Sequence, residues 1–213
     1  MNKRDIIQGT VHRFRDGKLQ EAYDFVTKHS SSIEPDTGIF NFRFALSSQL
    51  NQIELSMDIL KEAVETHNFW YHPEYLETRE SLENLRKHKE FKKLLNINKE
   101  RFNENKYPEP YMEVSSVQSD QLLFAVHSDY QSIWNLKDCI NNVTFPNHTI
   151  IYPRATEQTH HDAFKWREPE ITYALLKDYF EDAVQSRNIK KKDTTLYGFD
   201  SASHIILDSL IKG

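Results

Sequence analysis

Two different hydrophobic rhythms divide the chain. From about residue 4 to residue 105 the apolar positions recur at helical spacing, and after residue 107 they gather into short runs of strand length. Leu19, Ala22, Tyr23 and Val26 share one helix face, and Leu55, Ile59, Leu60, Ala63 and Val64 share another. Between them Ile39 to Leu50, with Phe40, Phe44, Ala45 and Leu46, predicts a third helix opened by the turn residues Pro35, Asp36 and Gly38. Asp16-Gly17 marks the turn before the first of these helices. Two prolines in Tyr107-Pro108-Glu109-Pro110-Tyr111 remove backbone donors and interrupt the pattern, which predicts a helical domain over 1–106 and a second domain over 107–213.

In the second domain the runs Leu122-Leu123-Phe124-Ala125-Val126, Thr149-Ile150-Ile151-Tyr152 and Thr195-Leu196-Tyr197 predict three strands. An amphipathic helix from Glu168 to Arg187 lies between the second and third. Strands alternating with helices imply parallel pairing through right-handed crossovers. The expected fold class is therefore α followed by α/β: a helical array, then a partial, parallel three-layer sheet.

The segment Ala63-Val64-Glu65-Thr66-His67-Asn68-Phe69-Trp70-Tyr71, followed by Leu76, Leu82, Leu85 and Glu90-Phe91-Lys92-Lys93-Leu94-Leu95, resembles the closing stretch of bacterial tetratricopeptide-like regions. Asn68 stands where glycine is usual there, and asparagine also tolerates the left-handed conformation that such a turn needs. The resemblance covers roughly residues 15 to 102.

The last predicted strand runs through Gly198-Phe199 into Asp200-Ser201-Ala202-Ser203 and a short apolar helix. A nucleophile elbow reads G-x-S-x-G, because a cramped strand-to-helix turn admits only small neighbours. Here Gly198 fits the first position, Asp200 falls at the serine, and Ala202 replaces the second glycine. Order and spacing over residues 121 to 213 resemble the first part of an α/β hydrolase of the phospholipase/carboxylesterase or dienelactone-hydrolase type. In that family a leucine-histidine-glycine turn helps to form the oxyanion hole. Ala125-Val126-His127-Ser128 occupies its place, with His127 matching and Ser128 replacing the glycine. Ile151-Tyr152-Pro153-Arg154 matches the next strand end, and Trp166 precedes the helix that leads to the elbow strand.

What the resemblance implies is a scaffold more than an activity. Asp200 and Ser201 are the candidate nucleophiles, and His127 and Ser128 the candidate oxyanion loop. A carboxylate nucleophile is known in the haloalkane dehalogenase branch of the fold. The acid and histidine partners belong to strands after the elbow, and these 213 residues include none. His204 sits in the elbow helix, where it points away from the residue at the turn. The expected protein is a catalytically incompetent α/β-hydrolase-like one, with an active carboxylesterase-type hydrolase and a protein-interaction module built on the helical domain as alternatives. An unfinished sheet has an open edge, which predicts self-association or a protein partner there.

Composition narrows the surroundings. A net charge of -5 argues against a nucleic-acid binder, and Lys190-Lys191-Lys192 reads as a solvated turn. A single cysteine, Cys139, placed between predicted elements, excludes an intrachain disulfide and a cysteine metal cluster and fits a cytoplasmic location. No cofactor is implied. His160-His161-Asp162 has metal-ligand residue types without metal-ligand spacing and reads as a polar loop. The N-terminus carries no apolar run of a signal peptide or membrane span, so the glycosylation patterns at Asn142 and Asn147 are discounted. Phe69, Trp70, Tyr71 and Tyr75 are candidates for an aromatic binding face or for core.

Overall fold

The computed structural model describes residues 1–115, 119–140, 145 and 147–212. Asn142 lies outside them. Two compact units emerge, Met1–Glu104 and Asn105–Gly213.

The first unit is helical. Helix α1 (Lys3–Arg15) begins with a reciprocal cap, Asn2 accepting from the Asp5 N–H while the Asp5 carboxylate accepts from the Asn2 N–H. It packs on α2 (Leu19–Ser30), which packs on α3 (Thr37–Gln49), which packs on α4 (Ile53–Lys61). Asp36 caps α3 by accepting from the Gly38 and Ile39 N–H groups, and its carboxylate also pairs with Lys3. Helix α4 runs into a π turn, Glu62–Thr66, and Asn68 then takes φ 56 to reverse the chain. The short α5 (Pro73–Thr78) starts on a proline, and α6 (Phe91–Asn105) closes the unit.

One buried cluster runs through these helices, including Ile6, Val26, Phe44, Leu60 and Leu85 at 0% exposure. Several polar groups inside it are paired. The fully buried Asn98 accepts from the Tyr71 N–H at 2.7 Å and donates to Leu94 O at 2.7 Å. Tyr71 OH donates to Thr37 O, and Ser56 Oγ to Phe44 O. Phe69, Trp70 and Tyr71 are all buried, so they form core and not a binding face.

The second unit is built on a four-stranded sheet in the order β1 (Tyr111–Val114), β3 (Thr149–Arg154), β2 (Leu122–Ala125), β6 (Thr194–Tyr197). The three expected strands are there and parallel, β3 and β6 flanking β2. The fourth, β1, corrects the all-parallel expectation: it pairs antiparallel with β3 in the register Tyr111↔Arg154. Its exposed ends lack the apolar run that marks the other strands. A hairpin of β4 (Glu157–His160) and β5 (Ala163–Lys165) replaces the expected loop around His160-His161-Asp162. Cys139 likewise lies within a helix, α7 (Ile133–Ile140), because Ile133, Leu136 and Ile140 form a buried stripe.

Helix α7 packs with Leu123 and Ala125 in one cluster. The long α8 (Pro169–Arg187) and the final α9 (Ser201–Lys212) join Leu122, Phe124 and Val126 in another. Alternation along β2 thus sends successive side chains into two separate layers of core. No described helix is long and apolar enough to cross a membrane.

Candidate functional site

Parallel pairing of β2 with β6, in the register Ala125↔Tyr197, brings out the loops that follow both strands side by side. This is where the chain places Asp200, Ser201, His127 and Ser128. At the β6 end, Asp200 takes φ 54, a left-handed conformation unusual for any residue but glycine. Its side chain is at an exposed corner, and α9 begins at the next residue.

The small residues on either side are required sterically. A Cβ on Gly198 would lie 2.7 Å from Ile206 Cδ1 and 3.2 Å from the carbonyl carbon of Ala202, which is itself fully buried. The sharp strand-to-helix turn therefore depends on Gly198 and Ala202, and Asp200 stands at its apex.

Hydrogen bonds stitch the β2 loop to that turn. Ser128 Oγ donates to Phe199 O at 2.6 Å, and the Asp129 N–H donates to Ser201 Oγ at 2.9 Å. Ser201 thus satisfies a donor of the neighbouring loop and not an orphan N–H of its own helix. Ser203 Oγ donates to Asp200 O at 2.5 Å. The hydroxyl of Ser128 explains what the missing glycine does here: buried at 1% exposure, it ties the two loops together.

His127 is fully buried and stacked on Trp166 at a ring separation of 5.0 Å. Its Nε2 accepts from the Ala155 N–H at 3.1 Å, so its proton is on Nδ1, which donates to Ser128 O at 2.8 Å. Burial pushes its pKa below the ordinary histidine value, and the ring is held neutral. Both nitrogens are committed to backbone. Trp166 Nε1 donates to His127 O, and the Trp166 N–H donates to Asp129 Oδ1.

Asp129 and Trp166 are thus the joints of the loop cluster. No local pattern marks Asp129, since its partners lie 37 and 72 positions away. Beside it opens a cavity of about 240 Å³ lined by Asp129, Trp166, Tyr173, Ile205 and Asp208, with Lys165 and Arg167 also in its wall. His204 is exposed on α9. Among the described residues no group of three or more metal-ligating side chains converges.

A comparison with known families bears on the other unit. Residues 2–106 match the family described as "A/B hydrolase-like, N-terminal domain". This domain is the helical unit, whereas the turn at Asp200 belongs to the second unit. Residues 2–106 are thus similar to that family's N-terminal domain.

Among solved structures, the 2.75 Å crystal structure of an uncharacterized protein from Bacillus cereus ATCC 10987 is similar in fold. It is 23% identical, with a TM-score of 0.51 over 100% of this chain and 69% of that one. No curated protein matches.

Proposed function

We propose that these residues form an α/β-hydrolase-like scaffold that does not hydrolyse carboxylic esters by itself. In this reading a tetratricopeptide-like helical domain leads into the opening strands of a phospholipase/carboxylesterase- or dienelactone-hydrolase-type sheet, in a cytoplasmic protein. The observation that carries it is the residue at the apex. Position 200 is left-handed at a strand-to-helix turn, as in an elbow, but holds Asp200, and both ring nitrogens of the nearby His127 are taken by backbone. Ser201 already accepts a hydrogen bond from Asp129. General-base activation of a hydroxyl nucleophile needs a free imidazole nitrogen within hydrogen-bond reach.

Exposure of Asp200 favours one rival, an active hydrolase in which its carboxylate is the nucleophile. Hydrolysis of p-nitrophenyl acetate and butyrate by the wild type, Asp200→Ala and Ser201→Ala separates the two. Background rates in all three are expected. Turnover that disappears in Asp200→Ala or in Ser201→Ala would replace the scaffold with an enzyme and name its nucleophile.

A further inference from the structure

The helical unit holds a cavity of its own, remote in sequence from the loops around Asp200. Its volume is about 310 Å³, and it lies between the loop that joins α2 to α3, the first turns of α3 and the π turn after α4. Ligand pockets span roughly 300–1,000 Å³, so this one suits a metabolite more than a peptide. Part of its wall is apolar, formed by Ile33, Pro35, Ile39 and Phe40, and Ile39 and Phe40 also belong to the core of the unit.

The charges around the cavity are unevenly answered. Asp36 is already held by Lys3 and by the Gly38 and Ile39 N–H groups. Arg43, half-buried in the wall, is not: its guanidinium lies 5.2 Å over the Phe40 ring, its Nε is buried without a hydrogen-bond partner, and no carboxylate pairs with it among the described residues. A guanidinium held against a ring is pre-organised to receive a planar carboxylate. Two acids share the same wall. Among the described residues the exposed Glu34 has no ion pair, and Glu62 has one, with His67 at 3.7 Å.

A plain anion would answer Arg43 and meet those two carboxylates, and a plain cation would do the reverse. A ligand that carries both charges answers both sides. We propose that the cavity binds a free α-amino acid with an apolar side chain, its carboxylate on Arg43, its ammonium towards Glu34 and Glu62, and its side chain against Ile33, Ile39 and Phe40.

Isothermal titration of the full chain with L-phenylalanine and with L-leucine reads the outcome. Saturable binding of at least one of them, with a Kd below about 1 mM, is expected. N-acetylation of that amino acid removes the ammonium and amidation removes the carboxylate, and each should weaken binding at least about tenfold, the size of one lost charge-assisted hydrogen bond. Arg43→Met should weaken the amino acid by a similar factor and leave its amide unaffected. Glu34→Gln/Glu62→Gln, at two exposed positions, should weaken the amino acid and leave its N-acetyl form unaffected. Unchanged circular dichroism and Tm are the check on folding of both variants. Absence of saturation with both amino acids overturns the proposal. So does equal binding of the N-acetyl form, which would make this a plain carboxylate site, or amino-acid binding that either folded variant leaves unchanged. None of these readouts depends on ester hydrolysis, so the scaffold reading stands or falls separately.

Discussion

The helical unit and the sheet unit of this chain bury comparable kinds of side chain but end in different states. In the helical unit successive helices cover one another, and the buried polar groups of Asn98, Tyr71 and Ser56 all find partners inside the same unit. The sheet unit ties the loops after β2 and β6 together by side-chain hydrogen bonds, and α9 beside β6 exposes Leu207, Leu210 and Ile211. The difference teaches that the first unit is organised around its own core and the second around a turn. Asp129 and Trp166 join the loops beside that turn, Trp166 also belonging to the core.

Breaking the core of the helical unit should have the largest effect. Asn98→Ala leaves the buried Tyr71 N–H without its acceptor, and a cost of about 2–3 kcal/mol is expected. Urea denaturation measures it, and lowered amide protection in α3, α6 and the Phe69–Tyr71 turn should locate it. A loss under about 0.5 kcal/mol, the size typical of surface changes, would show that this unit does not rest on its internal polar bonds.

A smaller effect, and a different signature, is expected at the loops. His127 is neutral in the fold and its pKa is lowered by burial, so the unfolded chain binds the more protons at acidic pH. The stabilisation is complete above the ordinary histidine value of 6.5 and is lost as pH falls from there through the folded value. His127→Gln should flatten this part of the stability-pH curve. Equal slopes for wild type and variant between pH 7 and pH 5 would mean that the ring is not held neutral.

How legible this was in the sequence follows the same division. Helices α2, α3 and α4 showed themselves because each turns one continuous apolar face to the core, and Asn68 announced the turn that it makes with φ 56. Strands β2, β3 and β6 were readable as apolar or β-branched runs. Strand β1 and the β4–β5 hairpin were not, because their residues are largely polar or half-exposed and are fixed by pairing, which periodicity does not record. Helix α7 carries a usable signal in the spacing of Ile133, Leu136 and Ile140, which puts Cys139 inside a helix and not between elements.

At the site, the small-residue spacing around position 200 pointed to a sharp turn, and Gly198 and Ala202 do pack against each other there. The roles of Ser128, Asp129 and Ser201 depend on contacts between loops more than seventy residues apart, beyond any local pattern.

The central proposal is that Asp200 is the left-handed apex of an elbow-like strand-to-helix corner. The corner itself is tested most directly by comparing the stability of Asp200→Gly with that of Asp200→Ala. A left-handed residue costs alanine roughly 1 kcal/mol and glycine almost nothing, so the glycine variant should be the more stable by about that amount in thermal or urea unfolding. An alanine variant as stable as the glycine one, or more so, would contradict the elbow conformation on which the account stands.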